Sequence, residues 1–196
     1  EAIRITENVL LYQKNIGGWE KNKNFHMPLS VNEKTALLAK KTNGQGCTID
    51  NGAVDYELTF LSKVYGSISD ETLKLKIYEG FEKAIAYLLE AQYDNGGWPQ
   101  FYPYRGGYSD HITYNDDAMI HVLNILKHVY EKDRTYKFTL EDAKAAKAKI
   151  AFDKGISCII NSQYIQNGML TVWCAQHDYK TLLPVLARSY ELPSLS

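Results

Sequence analysis

Thr48-Ile49-Asp50-Asn51-Gly52-Ala53 and Thr113-Tyr114-Asn115-Asp116-Asp117-Ala118 decide how this chain is read. The first stretch leads to Leu58, Leu61, Val64 and Tyr65, the second to Leu123, Leu126, Val129 and Tyr130, at a constant offset of 65 residues without a gap. Apolar residues three and four apart mark one face of a helix, so each copy reads as an acidic start leading into an amphipathic helix. A helix start needs one oxygen acceptor as a cap, and Asp50, Asn51, Asn115 and Asp116 each suit that role. With Asp117 beside them, the second copy holds more carboxylate and amide oxygens than a cap uses. Calcium takes six to eight oxygens; two such starts on one side of a helical ring would gather enough donors for a cation.

Helical periodicity dominates the chain on either side. The spacing predicts helices over 3–14, 31–41, 51–65, 71–92, 116–131, 140–163 and 178–190. Ser69-Asp70 opens the fourth, and Thr139 with Asp142 supplies a capping signal for the sixth. No sustained strand alternation is present. A second repeat crosses the first: Gln13-Lys14-Asn15-Ile16-Gly17-Gly18-Trp19 recurs as Gln92-Tyr93-Asp94-Asn95-Gly96-Gly97-Trp98, and more weakly as Gln163 to Gly168 with Trp173 following. Each places glutamine at a helix end, then glycine free to take positive φ, then an aromatic. The expected fold is all-α: an α/α toroid of helix hairpins whose loops converge on one cleft.

Length and composition fit one globular domain over residues 1–196. A formal net charge of −1 gives no argument for nucleic acid or an anionic membrane, and no apolar run reaches the roughly 20 residues of a membrane span. Cys47, Cys158 and Cys174 share no metal-ligand spacing and read as buried free thiols. Fifteen tyrosines read first as core and second as walls of a wet cleft. His111 suits a general base, a substrate donor or a loop staple. Lys14, Lys21, Lys23 and Arg105 flank the Gly-Gly-Trp loops, and Arg188, between apolar residues and Pro193, reads as a carboxylate clamp.

These motifs resemble the family 10 pectate lyases among the polysaccharide lyases. The resemblance rests on Gly17-Gly18-Trp19 with Lys21-Asn22, on residues 48–53, on the long run from Gly96 to Met119, on Thr171 to Asp178 and on Ala187 to Ser194. It implies an (α/α)₃-type toroid and calcium-assisted β-elimination of polygalacturonate. It further implies that Asp50, Asp116 and, as a third position, Asp117 hold Ca²⁺, that Arg188 removes the C5 proton, and that Lys21, Asn51, Trp98, His111 and Trp173 line the substrate cleft. Family catalytic modules run past the Leu-Pro-Ser segment, so the toroid is expected to be incomplete here. The implied partner is polygalacturonate or its oligomers, the implied state a monomer and the implied location secreted or periplasmic. Two other readings compete. A non-catalytic α/α sugar-binding module would use Trp19, Trp98 and Trp173 as stacking platforms without needing paired acids. A terpene-cyclase-like toroid would need an apolar cavity that these polar, tyrosine-rich loops do not suggest.

Overall fold

The structure, a computed structural model, describes residues 1–186. Six helices carry it: α1 (Ala2–Tyr12), α2 (Val31–Ala39), α3 (Asp55–Tyr65), α4 (Glu71–Ala91), α5 (Ala118–Glu131) and α6 (Asp142–Ser162). α3–α4 and α5–α6 are hairpins; α1, α4 and α6 pack in one row, α3 and α5 in a second, and α2 rides on α1. This mostly helical, two-row arrangement is consistent with an α/α toroid. Four two-residue strands, β1 (Ile112–Thr113), β2 (Ile165–Gln166), β3 (Met169–Leu170) and β4 (Gln176–His177), pair antiparallel as β1–β4 and β2–β3.

α4 shows how sequence becomes packing. Leu73, Ile77, Phe81, Ala84, Ile85, Leu88 and Ala91 fall on one stripe and are buried, against Leu58, Leu61, Met119 and Leu126 from the second row. Asp70 caps its start, with Oδ1 accepting the Leu73 N–H at 3.0 Å, which removes one orphan donor. Phe81 meets Phe138 and Tyr136 edge-on, both with centroids at 4.7 Å.

The glutamine–glycine–tryptophan repeat is a clamp between neighbouring helices of one row. Gln13 Nε2 donates to Gly17 O (2.8 Å) and to Gly80 O on α4 (2.7 Å); Gln92 Nε2 donates to Gly96 O (3.0 Å) and to Ala151 O on α6 (2.8 Å). Gly17 (φ +102°) and Gly96 (φ +95°) lie so close to the next helix that a Cβ would stand 2.0 Å from Lys83 O or Lys154 O. Only glycine meets both the dihedral and the approach. Each tryptophan then closes the helix before it: Trp19 Nε1 donates to Val9 O (2.8 Å), Trp98 to Leu88 O (2.7 Å) and Trp173 to Ile159 O (2.7 Å).

Two expectations are corrected. The segment 178–190 is not helical over its described part: Leu182 takes φ +63° and Pro184 bridges to His177. Asp178 accepts the Lys180 and Thr181 amides, a local outlet that competes with a helix. α6 starts at Asp142 with Glu141 before it and no side-chain cap, so the Thr139 signal goes unused. The three thiols are buried and free, as the sequence predicted.

Replacing Gln92 by alanine removes two hydrogen bonds and is expected to cost about 1–3 kcal/mol. Gly96→Ala should cost more than about 3 kcal/mol, because backbone and not a mobile side chain stands in the way. Urea unfolding of both variants checks this; a smaller loss for Gly96→Ala than for Gln92→Ala would refute the clamp.

Candidate functional site

The loops from successive helix ends join edge to edge. Glu20 bridges to Cys47, Thr48 to Phe101 and Pro99 to Ile112; β1 pairs with β4, and His177 bridges to Pro184, all antiparallel. Thr48 N donates to Trp19 O (3.0 Å), Ile49 N to Gln100 O (3.2 Å), Thr113 N to Trp98 O (3.0 Å) and Val185 N to Gln176 O (3.1 Å). The result is a ribbon of short extended segments, one from each repeat, that carries nearly every candidate residue.

The two repeated acidic starts are tight turns rather than the first turns of helices. Asp50–Gly52 and Asn115–Asp117 each make one 3₁₀ turn, and the two turns pack against each other. Asn51 stands at φ 54°, ψ 34° and Asp116, its repeat partner, at φ 54°, ψ 35°. Asp117 follows at φ +56°. Asparagine and aspartate tolerate this left-handed region better than other non-glycine residues, so the turn itself accounts for part of the residue choice. Val54, at φ +77°, has no such tolerance, and a β-branched residue there is a strained outlier.

Asp50 is 1% exposed. Its Oδ1 accepts the Asn51 N–H (3.0 Å); Oδ2 accepts Gln100 Nε2 (2.8 Å) and pairs with the half-buried Lys21 ammonium. A carboxylate at this depth is stable only when paired and hydrogen-bonded. Lys21 also lies 5.9 Å from the centre of the Phe101 ring, and the Arg105 guanidinium lies 4.2 Å from it. Two cations therefore flank one aromatic ring next to one buried acid. Asn51 Nδ2 donates to Asn22 Oδ1 (3.3 Å). Asp116 and Asp117 are exposed, Asp116 accepting Asn115 Nδ2 at 2.8 Å.

As a test of a cation site, the donors are all hard oxygens. Asp50 Oδ1 keeps a lone pair, and Gln100 Oε1 is buried without a partner among the described residues. Such a set suits calcium and not a soft metal. It is not a closed cage: among the described residues no group of three or more His, Cys, Asp or Glu side chains stands together to hold a metal. The expected Asp50, Asp116 and Asp117 set therefore comes together as adjoining turns and not as a three-carboxylate cluster.

Other expected site residues fall differently. Trp98, like Trp19, is 0% exposed, so its role as a sugar-stacking surface is corrected: a ring with no free face packs the core. The stacking module loses two of its three platforms; Trp173 is half-buried. Lys14 is buried and pairs with Glu20 at 3.0 Å, and Lys23 pairs with the same carboxylate at 2.6 Å, which leaves Lys21 as the lysine of this loop that serves Asp50. His111 stands before β1 with its Nδ1 3.7 Å from Asp178 Oδ2. Arg188 lies outside the described residues. Tyr93 stacks between Tyr104 (5.7 Å) and Tyr179 (5.0 Å) along the ribbon, so part of the tyrosine excess does line the loop face. Sequence reasoning missed Gln100 and Asp178, whose single occurrence in irregular loops carries no periodic signal.

The described residues thus form an all-α repeat whose loops join in one ribbon and carry a buried acid, two nearby cations and unspent oxygen acceptors, the polar loop face of a helical-hairpin protein. The family model for pectic acid lyase matches residues 13–196, and the chain belongs to that family. Two solved structures are similar: a family 10 polysaccharide lyase from Cellvibrio cellulosa, and a mutant of that enzyme in complex with trigalacturonic acid. Each is 38% identical with a TM-score of 0.82 over 99% of this chain, which covers 56% and 57% of their lengths. The chain thus spans little more than half of the structures it resembles. No curated protein matches it. No helix among the described residues is long and apolar enough to cross a membrane.

Glu57, in the first turn of α3, bonds back to the residue that joins the Asp50 turn to that helix. It is buried, accepts the Val54 N–H at 2.7 Å, and burial pushes its carboxyl up to about 7. A raised carboxyl favours the fold below its unfolded pKa, and the advantage is lost as pH rises toward 7. Glu57→Gln is expected to match the parent near pH 4 and to exceed its stability by on the order of 2–3 kcal/mol at pH 8. A pH-independent difference in chemical unfolding would contradict this.

Proposed function

We propose that the polypeptide is a calcium-dependent pectate lyase, cleaving (1→4)-α-D-galacturonan by β-elimination to 4,5-unsaturated products. The observation that carries the reading is Asp50, buried between Lys21 and Gln100 on the turn that adjoins its repeat, in a chain of the pectic acid lyase family. The neighbour with trigalacturonic acid supports an oligogalacturonate as ligand.

The C5 hydrogen of galacturonate lies α to a carboxylate, and its removal drives charge onto that group. Asp50 and Asp116, with Asp117 as a third position and the unspent amide oxygen of Gln100, are the residues that would hold calcium. Bound there, the ion supplies charge neutralisation at the uronate carboxylate. Lys21 and Arg105, two cations close to Phe101, suit further uronate carboxylates along the chain. Asn51 and His111 serve substrate hydroxyls. Arg188 takes the C5 proton; the C5–H pair becomes the C4–C5 double bond, C4–O breaks, and the departing oxygen is protonated. No water attacks, so no second carboxylate is needed.

Arginine ordinarily titrates above pH 12. A base role for an arginine therefore favours alkaline conditions, and an alkaline optimum is expected. The enzyme acts outside the cytoplasm, where its polymer lies, and acts as a monomer.

Polygalacturonate with calcium should give a steady rise in absorbance from the unsaturated product, abolished by EDTA. A flat trace that EDTA does not alter refutes the reading. Arg188→Lys should lose at least about 100-fold in kcat while calorimetric calcium binding survives. Parallel loss of both would assign Arg188 a structural role.

A further inference from the structure

The β1–β4 pair sets Ile112 opposite His177, which brings the residues just outside it, His111 and Asp178, face to face. Both side chains are about one quarter exposed, and His111 Nδ1 is buried with no hydrogen-bond partner among the described residues. The Asp178 carboxylate stands beside it, with Oδ2 at 3.7 Å. Asp178 is held from its other oxygen: Oδ1 accepts Lys180 N (2.9 Å), Thr181 N (2.8 Å) and Thr181 Oγ1 (3.0 Å). The Thr181 amide above all holds this carboxyl below its usual range, and the fixed Oδ1 leaves Oδ2 toward the imidazole.

Among the described residues the neighbouring groups are engaged elsewhere. The neighbouring Asp110 carboxylate is spent on the amides of Arg105 and Gly106. The Tyr179 ring, 6.2 Å away, is tilted against the imidazole, with the Lys180 ammonium 5.4 Å from its centre. His177 anchors the strand below, with Nδ1 donating to Leu182 O (2.8 Å) and Nε2 accepting Cys174 N (2.9 Å).

We propose that Asp178 is a positioning residue: it keeps the His111 proton on Nδ1 and leaves Nε2 as the ring's free acceptor for a sugar hydroxyl. A carboxylate facing one ring nitrogen fixes the tautomer, and with it the hydrogen-bonding sign of the other nitrogen. The sugar part rests on the lyase reading; the tautomer part does not.

The test is long-range ¹H–¹⁵N NMR of the histidine-labelled full chain near pH 8.5, with His111→Gln to assign the ring. The Nδ1–H tautomer is expected. Asp178→Asn is the informative variant. The Lys180 and Thr181 donors still require an acceptor at Oδ1, so the new amide presents NH₂ to Nδ1 and should invert the tautomer to Nε2–H without unfolding the turn. In the same variant KM for trigalacturonate should rise about three- to tenfold, the effect of one hydrogen bond, with kcat within about twofold. An Nε2–H ring in the parent, or an unchanged tautomer in Asp178→Asn, overturns the positioning role. Inversion without a change in KM overturns the hydroxyl assignment. Absence of all turnover in the parent counts against the lyase reading, and the NMR result stands apart from it.

Discussion

A backbone carbonyl of one helix pressed against the glycine of the preceding loop is the constraint on which the architecture turns. With Lys83 O and Lys154 O only 2.0 Å from where the Cβ atoms of Gly17 and Gly96 would lie, the spacing between neighbouring helices of one row is set by backbone and cannot relax through a rotamer. The glutamine amides complete the contact by satisfying a loop carbonyl and a helix carbonyl at once. Buried carbonyls left unpaired would cost as much as a lost hydrogen bond, so the clamp both joins the helices and removes that cost. Because the same clamp occurs twice, loops leave successive helices at the same height, and their extended ends meet as a ribbon.

That ribbon explains why the candidate site is built from turns. A helix N-terminus would present its amides in a fixed spiral; a left-handed 3₁₀ turn instead folds the chain back and drops Asp50 inward. Burying a carboxylate carries a desolvation penalty of several kcal/mol, which here is offset by Lys21, Gln100 and the Asn51 amide. The strain at Val54 and the lifted carboxyl of Glu57 lie within a few residues of that acid. Stability is spent in one short segment while the packed helices below supply it.

The sequence was a good guide wherever a period existed. α4 and α6 match their expected bounds within two residues, because apolar spacing over about twenty positions leaves little choice. The 65-residue repeat paired the two acidic starts, and the structure gives Asn51 and Asp116 matching dihedrals, though in turns and not in the expected helix starts. It could not reveal that these were left-handed turns, since aspartate and asparagine serve helix caps and positive φ alike. The same ambiguity misplaced Trp98: tryptophan suits a sugar platform and a core equally, and only the backbone carbonyl of Leu88 within reach of its N–H decides for the core. The ribbon was illegible because its strands are one or two residues long, below any detectable alternation. Asp178 belongs to the same blind spot, its role arising from a strand pairing across 65 residues.

The pairing of Asp50 with Lys21 bears on how such a site admits a divalent ion. Lys21 is about one third exposed while Asp50 is sealed. The ammonium can therefore recover its hydration on leaving, whereas the carboxylate cannot. Under the calcium-binding role proposed above, Asp50 would already have met its desolvation cost in the fold, with Lys21 as its counter-charge. The ammonium also lies 5.9 Å from the centre of the Phe101 ring, so it keeps an aromatic contact besides the acid. In the structure the lysine holds the acid as an ion pair, and its greater exposure makes it the partner that can part at the smaller cost.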